Sequence, residues 1–134
     1  MAINNPYKTY KQNSVTQASP AELTLMLYNG ALKFIKLAKQ GIQENNIQLK
    51  NENIQKTQSI IQELMVTLNT DIEMSKNLMR MYDYLFTQLV EANVKNDVKI
   101  LEEVEGFIVE FRDTWKEVIQ QNRQINHKLG SAQI

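Results

Sequence analysis

The sequence is poor in several residue types, and each scarcity excludes a kind of chemistry. It contains no cysteine, so disulfide bridges, thiolate nucleophiles and thiolate metal sites are excluded. Its single histidine, His127, leaves it without the ligands of a three-histidine zinc site or of a di-iron bundle. Its four glycines are not clustered, so it lacks a glycine-rich loop for phosphate. We therefore expect no enzyme, no metal and no cofactor.

Charge and hydropathy exclude two further classes of protein. Fifteen basic and fifteen acidic residues cancel, and Lys33, Lys36 and Lys39 look like an ordinary solvated strip rather than a nucleic-acid surface. The sequence has no run of about 20 apolar residues, and its first residues lack the hydrophobic block of a signal peptide. We therefore expect a cytoplasmic chain with no nucleic-acid partner and no membrane insertion.

Helix breakers are almost absent from the body of the chain. The two prolines, Pro6 and Pro20, lie near its start, and β-branched residues do not alternate with polar ones. Small polar clusters at residues 44–46, 69–71 and 93–97 divide the rest into four helices with short connections. Such helices predict an all-α fold, an antiparallel up-down-up-down four-helix bundle.

The expected organisation has three parts. Residues 1–18 form an N-terminal arm or short helix, residues 19–126 form the four-helix bundle, and residues 127–134 form a flexible tail. Inside the helices, Gly30 and Gly106 each cost about 1 kcal/mol relative to alanine, so we expect close helix approach at both positions.

The first helix opens with clear start signals. Ser19 is a favoured N-cap, Pro20 suits the first helical position, and Glu22 completes a capping box. The other three helices carry apolar seams that step by three and four residues, as a bundle requires. Their predicted seams contain Ile54, Thr57, Ile61, Leu64 and Leu68 in the second helix, Leu78, Tyr82, Leu85, Leu89 and Ala92 in the third, and Leu101, Val104, Ile108, Phe111, Trp115, Val118, Asn122 and Ile125 in the fourth.

Apolar residues surround most of the first helix. Beside a seam like those of the other helices, it carries a second stripe, although a bundle uses only about 120° to 160° of each helix. The chain's own arm, a homo-oligomeric partner or a foreign helix laid into the groove could cover this stripe. The seam contains Leu23, Leu27, Gly30, Phe34, Leu37 and Gly41, and the second stripe contains Leu25, Tyr28, Leu32, Ile35 and Ile42.

We expect partner contacts on the second stripe and on an apolar shoulder of the third helix. The predicted partner-binding residues are Leu25, Tyr28, Leu32, Ile35, Met79, Phe86 and Val90. The predicted displaceable arm places Tyr7, Tyr10 and Val15 over the groove. A homo-oligomeric helical scaffold or adaptor is the alternative function, and a homodimer of the partner-free chain is compatible with either role.

Four short segments of the chain carry a more specific signal: "NPYKTYKQNSV", "SPAELTLMLYNGALKFIKLA", "MYDYLFTQLVEAN" and "NDVKILEEVEGFIVEFRDTW". Together and in this order they resemble the FliS family of flagellar secretion chaperones, over a range from about Pro6 to Ile119. One mild departure is Asn29, since the family usually has a small acidic residue before the glycine of the first helix.

The resemblance implies a cytoplasmic export chaperone built as an antiparallel four-helix bundle. Members of this family bind the disordered C-terminal segment of flagellin, prevent premature filament polymerisation and deliver the subunit to the flagellar type III export gate. The resemblance also implies that the N-terminal segment with Tyr7 and Tyr10 leaves the groove when flagellin binds, and contacts the gate. Flagellin and the export gate are therefore the expected partners.

Overall fold

The computed structural model describes residues 19–132, with side chains as far as Gln124, and every regular element in this range is an α-helix. The helices are α1 (Pro20–Gln43), α2 (Ile47–Val66), α3 (Glu73–Lys95) and α4 (Val98–Ala132). The predicted all-α class and the four helices of the bundle are confirmed. The expected N-terminal arm, residues 1–18, lies outside the described residues.

The helix boundaries fall close to the predicted ones, except at the end of α4. All three connections coincide with the predicted polar clusters. Asn45 and Asn96 adopt left-handed backbone angles there, with φ of 56° and 52°, which asparagine tolerates better than most residues. We expected the last helix to end near Asn126, but α4 continues to Ala132.

The start of α1 is capped as predicted. The hydroxyl of Ser19 accepts a hydrogen bond from the backbone N–H of Glu22 at 3.2 Å, and Pro20 occupies the first helical turn. The Glu22 carboxylate, which the capping-box pattern assigns to the helix start, accepts a hydrogen bond from Arg123 Nη2 at 2.6 Å. This side chain therefore ties the start of α1 to α4.

The four helices form a ring in which neighbours run antiparallel. Helices α1 and α3 each pack against both α2 and α4. Along α1–α2 and α1–α4 the residue numbers of facing positions run in opposite directions, and the short connections from α2 to α3 and from α3 to α4 make these packed neighbours antiparallel as well. Examples are Gly30 beside Ile60, Gly41 beside Lys50, Lys50 bonded to Asn93, Tyr84 bonded to Glu103, Lys39 bonded to Glu105 and Trp115 bonded to Ala21. The up-down-up-down topology is therefore confirmed.

The core buries a wider arc of α1 than the seam predicted for this helix. Its fully buried side chains cover an arc of roughly 140° at 100° per residue, centred near Ala31 and Ala38. Tyr28 is 3% exposed and Ile35 is 0% exposed, so the expectation that both belong to an outward-facing stripe is wrong. The physical reason is that α2 and α4 pack on opposite flanks of α1, and the core between them includes the inner edges of both stripes.

The glycines inside the helices differ in their surroundings. A Cβ atom on Gly30 would lie 3.3 Å from Ile60 Cδ1, which confirms close approach of α1 and α2 there. Gly41 is closer still, since its Cβ would lie 2.5 Å from the backbone nitrogen of Lys50. Gly106 faces open space: apart from its chain neighbours and the backbone of its own helix, no atom of the described chain lies within 4 Å of its Cβ position, so the expected close approach at this residue is wrong.

Candidate partner-binding surfaces

A cleft of about 430 Å³, which we call the end cleft, opens at the end of the bundle where α1 begins. It lies between the first turn of α1, the connection from α2 to α3, and α4. Two of the side chains on or beside its rim are largely exposed, Ile72 at 52% and Met74 at 72%. Its apolar lining comes mainly from Leu23, Tyr28, Leu68, Ile72, Leu78 and Trp115.

The floor of the end cleft contains a buried pair of tyrosines. The hydroxyl oxygens of Tyr28 and Tyr82 lie 2.6 Å apart in a hydrogen bond in which either can donate. Their rings pack on Phe111, with centroids 6.0 and 5.9 Å from its ring. Burial raises the pKa of both tyrosines, so both stay neutral at physiological pH. The pair therefore links α1 to α3 across the bundle and gives the cleft a fixed, uncharged polar point.

Trp115 fixes one wall of the end cleft. Its indole Nε1 donates a hydrogen bond to the backbone carbonyl of Ala21 at 2.7 Å. Because this bond satisfies the only polar atom of the side chain, the apolar ring is held beside the first turn of α1. The cleft wall is therefore preorganised, which lowers the ordering cost of binding.

A second cavity, which we call the side groove, runs between α1 and α4 and has a volume of about 520 Å³. The half-buried side chains of Leu32 on α1 and Val109 on α4 contribute to its apolar lining. Its borders are polar and mainly basic. They include Lys33, Lys36, Arg112 and Glu105.

The outer face of α3 carries a third apolar area. Val90 is 42% exposed and Val94 is 75% exposed, while Met79 and Phe86 are half-buried. Phe86 packs against the core cluster from its rim. This face lines neither the end cleft nor the side groove.

The predicted partner-binding residues are therefore distributed over several surroundings. Leu32 lines the side groove, Leu25 is half-buried on α1, and Tyr28 forms part of the floor of the end cleft. Ile35 belongs to the core and reaches no surface. The predicted arm residues Tyr7, Tyr10 and Val15 lie outside the described part of the chain.

Sequence reasoning missed most of the end cleft. Trp115 and Leu68 were assigned to core seams, although each presents part of its side chain to this cavity. A usable signal was the position of Ile72 and Met74, two large apolar residues directly after a polar connection. The basic border of the side groove was also missed, because Lys33 and Lys36 were interpreted as an ordinary solvated strip.

Two features are absent from the residues that the structure describes. Among the side chains of residues 19–124, no cluster of three or more from histidine, cysteine, aspartate and glutamate could hold a metal ion. In the same part of the chain, none of the helices combines the length and apolarity needed to cross a lipid bilayer.

The fold and its clefts place the chain in the class of four-helix bundles with apolar surface cavities, and comparisons with known proteins narrow that class. A family model described as flagellar protein FliS matches residues 3–122. The chain is 56% identical over 130 residues to the flagellar secretion chaperone FliS of Bacillus subtilis (strain 168), covering 97% of this chain and 98% of that protein. It is 36% identical over 109 residues to the flagellar secretion chaperone FliS of Escherichia coli (strain K12), covering 79% and 80%.

A solved structure agrees with the fold. The crystal structure of a flagellar chaperone from bacteria superposes with a TM-score of 0.72 at 20% identity, covering 87% of this chain and 96% of that one. At this identity the likeness supports the fold alone. The chain belongs to the FliS family of flagellar proteins, and the resemblance noted in the sequence is confirmed.

Proposed function

We propose that this chain is a cytoplasmic export chaperone of the bacterial flagellum. In this proposal it binds the disordered C-terminal segment of flagellin, prevents premature filament polymerisation and delivers the subunit to the flagellar type III export apparatus. Membership of a family whose curated members are named flagellar secretion chaperones supports this role. The structural observation that carries it is the end cleft, a preorganised apolar cavity on the surface of a small bundle.

The distribution of the apolar surfaces suits a disordered client better than a folded one. A segment that folds on binding spends about 2 to 5 kcal/mol on ordering, and buries on the order of 1,000 to 3,000 Å² to offset this. A single cavity cannot supply such an area. The end cleft, the side groove and the outer face of α3 together offer separate sites for successive helical pieces of one segment.

The proposed client contacts follow from this arrangement. Leu32 contributes from the side groove and Leu25 from its half-buried position on α1, while Tyr28 contributes through the floor of the end cleft. On α3, the half-buried Met79 and Phe86 and the exposed Val90 form the third site. Ile35 is not among the proposed contacts, because it is 0% exposed.

The N-terminal segment has a proposed role at the end cleft. Residues 1–18 join the described chain at Ser19, and Pro20 and Ala21 line this cavity, so the point of attachment of the segment lies beside it. In our proposal Tyr7, Tyr10 and Val15 cover apolar surface in the client-free state. Arrival of flagellin displaces them, and the released segment contacts the export gate.

A charge placed at the rim of the end cleft tests the proposal. Ile72 occupies the N-cap of α3 without a side-chain hydrogen bond, and aspartate is a favoured N-cap residue. Ile72→Asp therefore places a carboxylate beside the apolar cleft without weakening α3. We expect it to lower the affinity for a flagellin C-terminal peptide about tenfold or more in calorimetry, because the carboxylate is desolvated without a partner.

The matched control is Val66→Asp. Val66 is 78% exposed at the end of α2 but does not line the cleft, so we expect unchanged affinity. A mass measurement in solution accompanies the titration, and a 1:1 complex is the expected result. Equal affinities of the two variants for the peptide would contradict the proposal. A stable dimer that does not bind the peptide would also contradict it and would favour the scaffold alternative.

A further inference from the structure

The side groove combines an apolar floor with basic residues on both of its banks. Lys33 and Lys36 border it on α1 and Arg112 borders it on α4, while Glu105 is the only acidic residue of its described lining. The Glu105 carboxylate accepts a hydrogen bond from Lys39 at 2.7 Å, so its charge is already paired. The groove is therefore locally basic in a chain whose formal net charge is +0.

The basic side chains of the groove are available to a partner. Within residues 19–124, Lys33 and Lys36 form no ion pair with an acidic side chain, and both are exposed. Arg112 forms an ion pair with the exposed Asp113, to which its Nε donates at 3.0 Å, and its two terminal nitrogens can donate to a second carboxylate. These positions are separated across the groove, on two different helices.

We propose that the side groove binds an amphipathic helix that carries acidic side chains on both flanks of an apolar edge. The lining residues on α1 extend from Asn29 to Gln40, about 16.5 Å along the helix, which matches about three turns of a partner helix. An apolar edge of this partner packs on Leu32 and Val109, while its carboxylates reach the lysines of α1 and Arg112 of α4. This inference rests on the proposed function, because it assigns such a helix to the exported client.

Charge distinguishes this partner from the chain's own N-terminal segment. Residues 1–18 contain Lys8 and Lys11 but no aspartate or glutamate. Such a segment is repelled by Lys33, Lys36 and Arg112, whereas the end cleft has no charged residue in its described lining. The two cavities therefore differ in the charge of the partner that suits them: the side groove favours an acidic helix, whereas a basic segment such as residues 1–18 suits the uncharged end cleft better.

A designed peptide tests the groove independently of flagellin. The probe is a 15-residue helix with leucines along one edge and glutamates on both flanks, and its partner probe has lysines in place of the glutamates. We expect the full-length chain to bind the acidic probe, to bind it several-fold more weakly when the salt concentration rises tenfold, and not to bind the basic probe. Failure to bind the acidic probe, or equal binding of both probes, overturns the inference.

The variant that locates the site is Lys33→Glu combined with Lys36→Glu. We expect it to weaken binding of the acidic probe and of the flagellin C-terminal segment about fivefold to thirtyfold, because two attractions become repulsions. The control, Lys95→Glu with Lys99→Glu, makes the same change in net charge on exposed residues beside the connection from α3 to α4. We expect the control to bind both ligands like the unaltered chain.

The outcomes separate this inference from the proposed function. Tight flagellin binding that is equal in both double variants overturns the inference and leaves the proposed function standing. Binding of the acidic probe in the side groove without any binding of flagellin supports the groove chemistry and contradicts the proposed function. If the unaltered chain is a dimer, the groove variant is a monomer and the acidic probe does not bind, the inference is overturned and the groove is an interface for self-association.

Discussion

Replacing three glycines by alanine, one at a time, tests the helix packing, because the same chemical change meets three different surroundings. Alanine is favoured over glycine by about 1 kcal/mol in a helix interior. At Gly106 the new methyl group meets no atom of the described chain within 4 Å other than those of its chain neighbours and its own helix backbone, so only this gain acts. We expect Gly106→Ala to raise the free energy of unfolding by about 0.5 to 1 kcal/mol.

At Gly41 packing outweighs the gain in helix propensity. The new Cβ would lie 2.5 Å from the nitrogen, 2.9 Å from Cα and 3.0 Å from Cβ of Lys50. Because the first two are backbone atoms, no side-chain rotation relieves the clash and the two helices must separate. Overpacking of this kind costs about 1 to 3 kcal/mol or more, so we expect Gly41→Ala to destabilise the protein by about 1 to 2 kcal/mol net.

Gly30 lies between these two cases. Its new Cβ would approach Ile60 Cδ1 to 3.3 Å, and this atom ends a side chain that can shift by a few tenths of an ångström. The gain in propensity and the crowding nearly cancel, so we expect a net change within about 0.5 kcal/mol.

Urea unfolding followed by far-ultraviolet circular dichroism measures all three variants. Equal m-values would show that the compared states expose the same surface. A change of 1 kcal/mol corresponds to a shift in melting temperature of roughly 3 to 6 °C for a domain of this size. A destabilising Gly106→Ala, or a neutral Gly41→Ala, would refute the described packing of α1 on α2 or the exposed position of Gly106.

Two further predictions concern the tyrosine pair and the N-terminal segment. Burial raises the pKa of Tyr28 and Tyr82 above the ordinary value of 10.0, so their contribution to stability is complete below pH 10 and is lost as the pH rises above it. From pH 8 to 11 we expect the free energy of unfolding to decline, and we expect the double variant Tyr28→Phe/Tyr82→Phe to show a smaller decline. An unchanged decline in the double variant would contradict the burial of the pair. Deleting residues 1–11 is expected to leave a folded bundle with unchanged or tighter flagellin binding in calorimetry, and weaker binding would show that the segment contributes contacts.

The sequence was sufficient to predict the helices because their signals are local. Ser19 and the polar clusters of the connections act through neighbouring backbone groups, which a linear pattern reports directly. The seams of α2 and α3 were also predictable, since residues such as Ile61 and Leu85 repeat at the helical period and are 0% exposed.

The orientation of α1 was not predictable in the same way. Its circumference is apolar over a wide arc, so periodicity alone does not select which part meets the core. The choice depends on where α2 and α4 pack, and this information belongs to the assembled ring. Tyr28 and Ile35 were misplaced for this reason, whereas Leu32 does line a surface cavity.

Contacts between helices also explain the burial of Lys50, which the sequence pattern did not predict. Lys50 is only 7% exposed, and its ammonium donates to the carbonyl of Asn93 at 3.0 Å and to the side chain of Asn96. A lysine in a helix pattern is expected on the solvated face. Its burial follows from the close approach at Gly41, and neither residue reveals this pairing alone.

The border between α1 and α4 is the one side of the ring that no loop joins. Its bonds connect positions 66 to 101 residues apart in the chain, at Lys39 with Glu105, Ala21 with Trp115, and Glu22 with Arg123. A ribosome makes α4 after the other three helices, and both cavities include side chains from α4. A nascent chain that ends before α4 can therefore form neither cavity, so both arise only when translation has passed into the fourth helix.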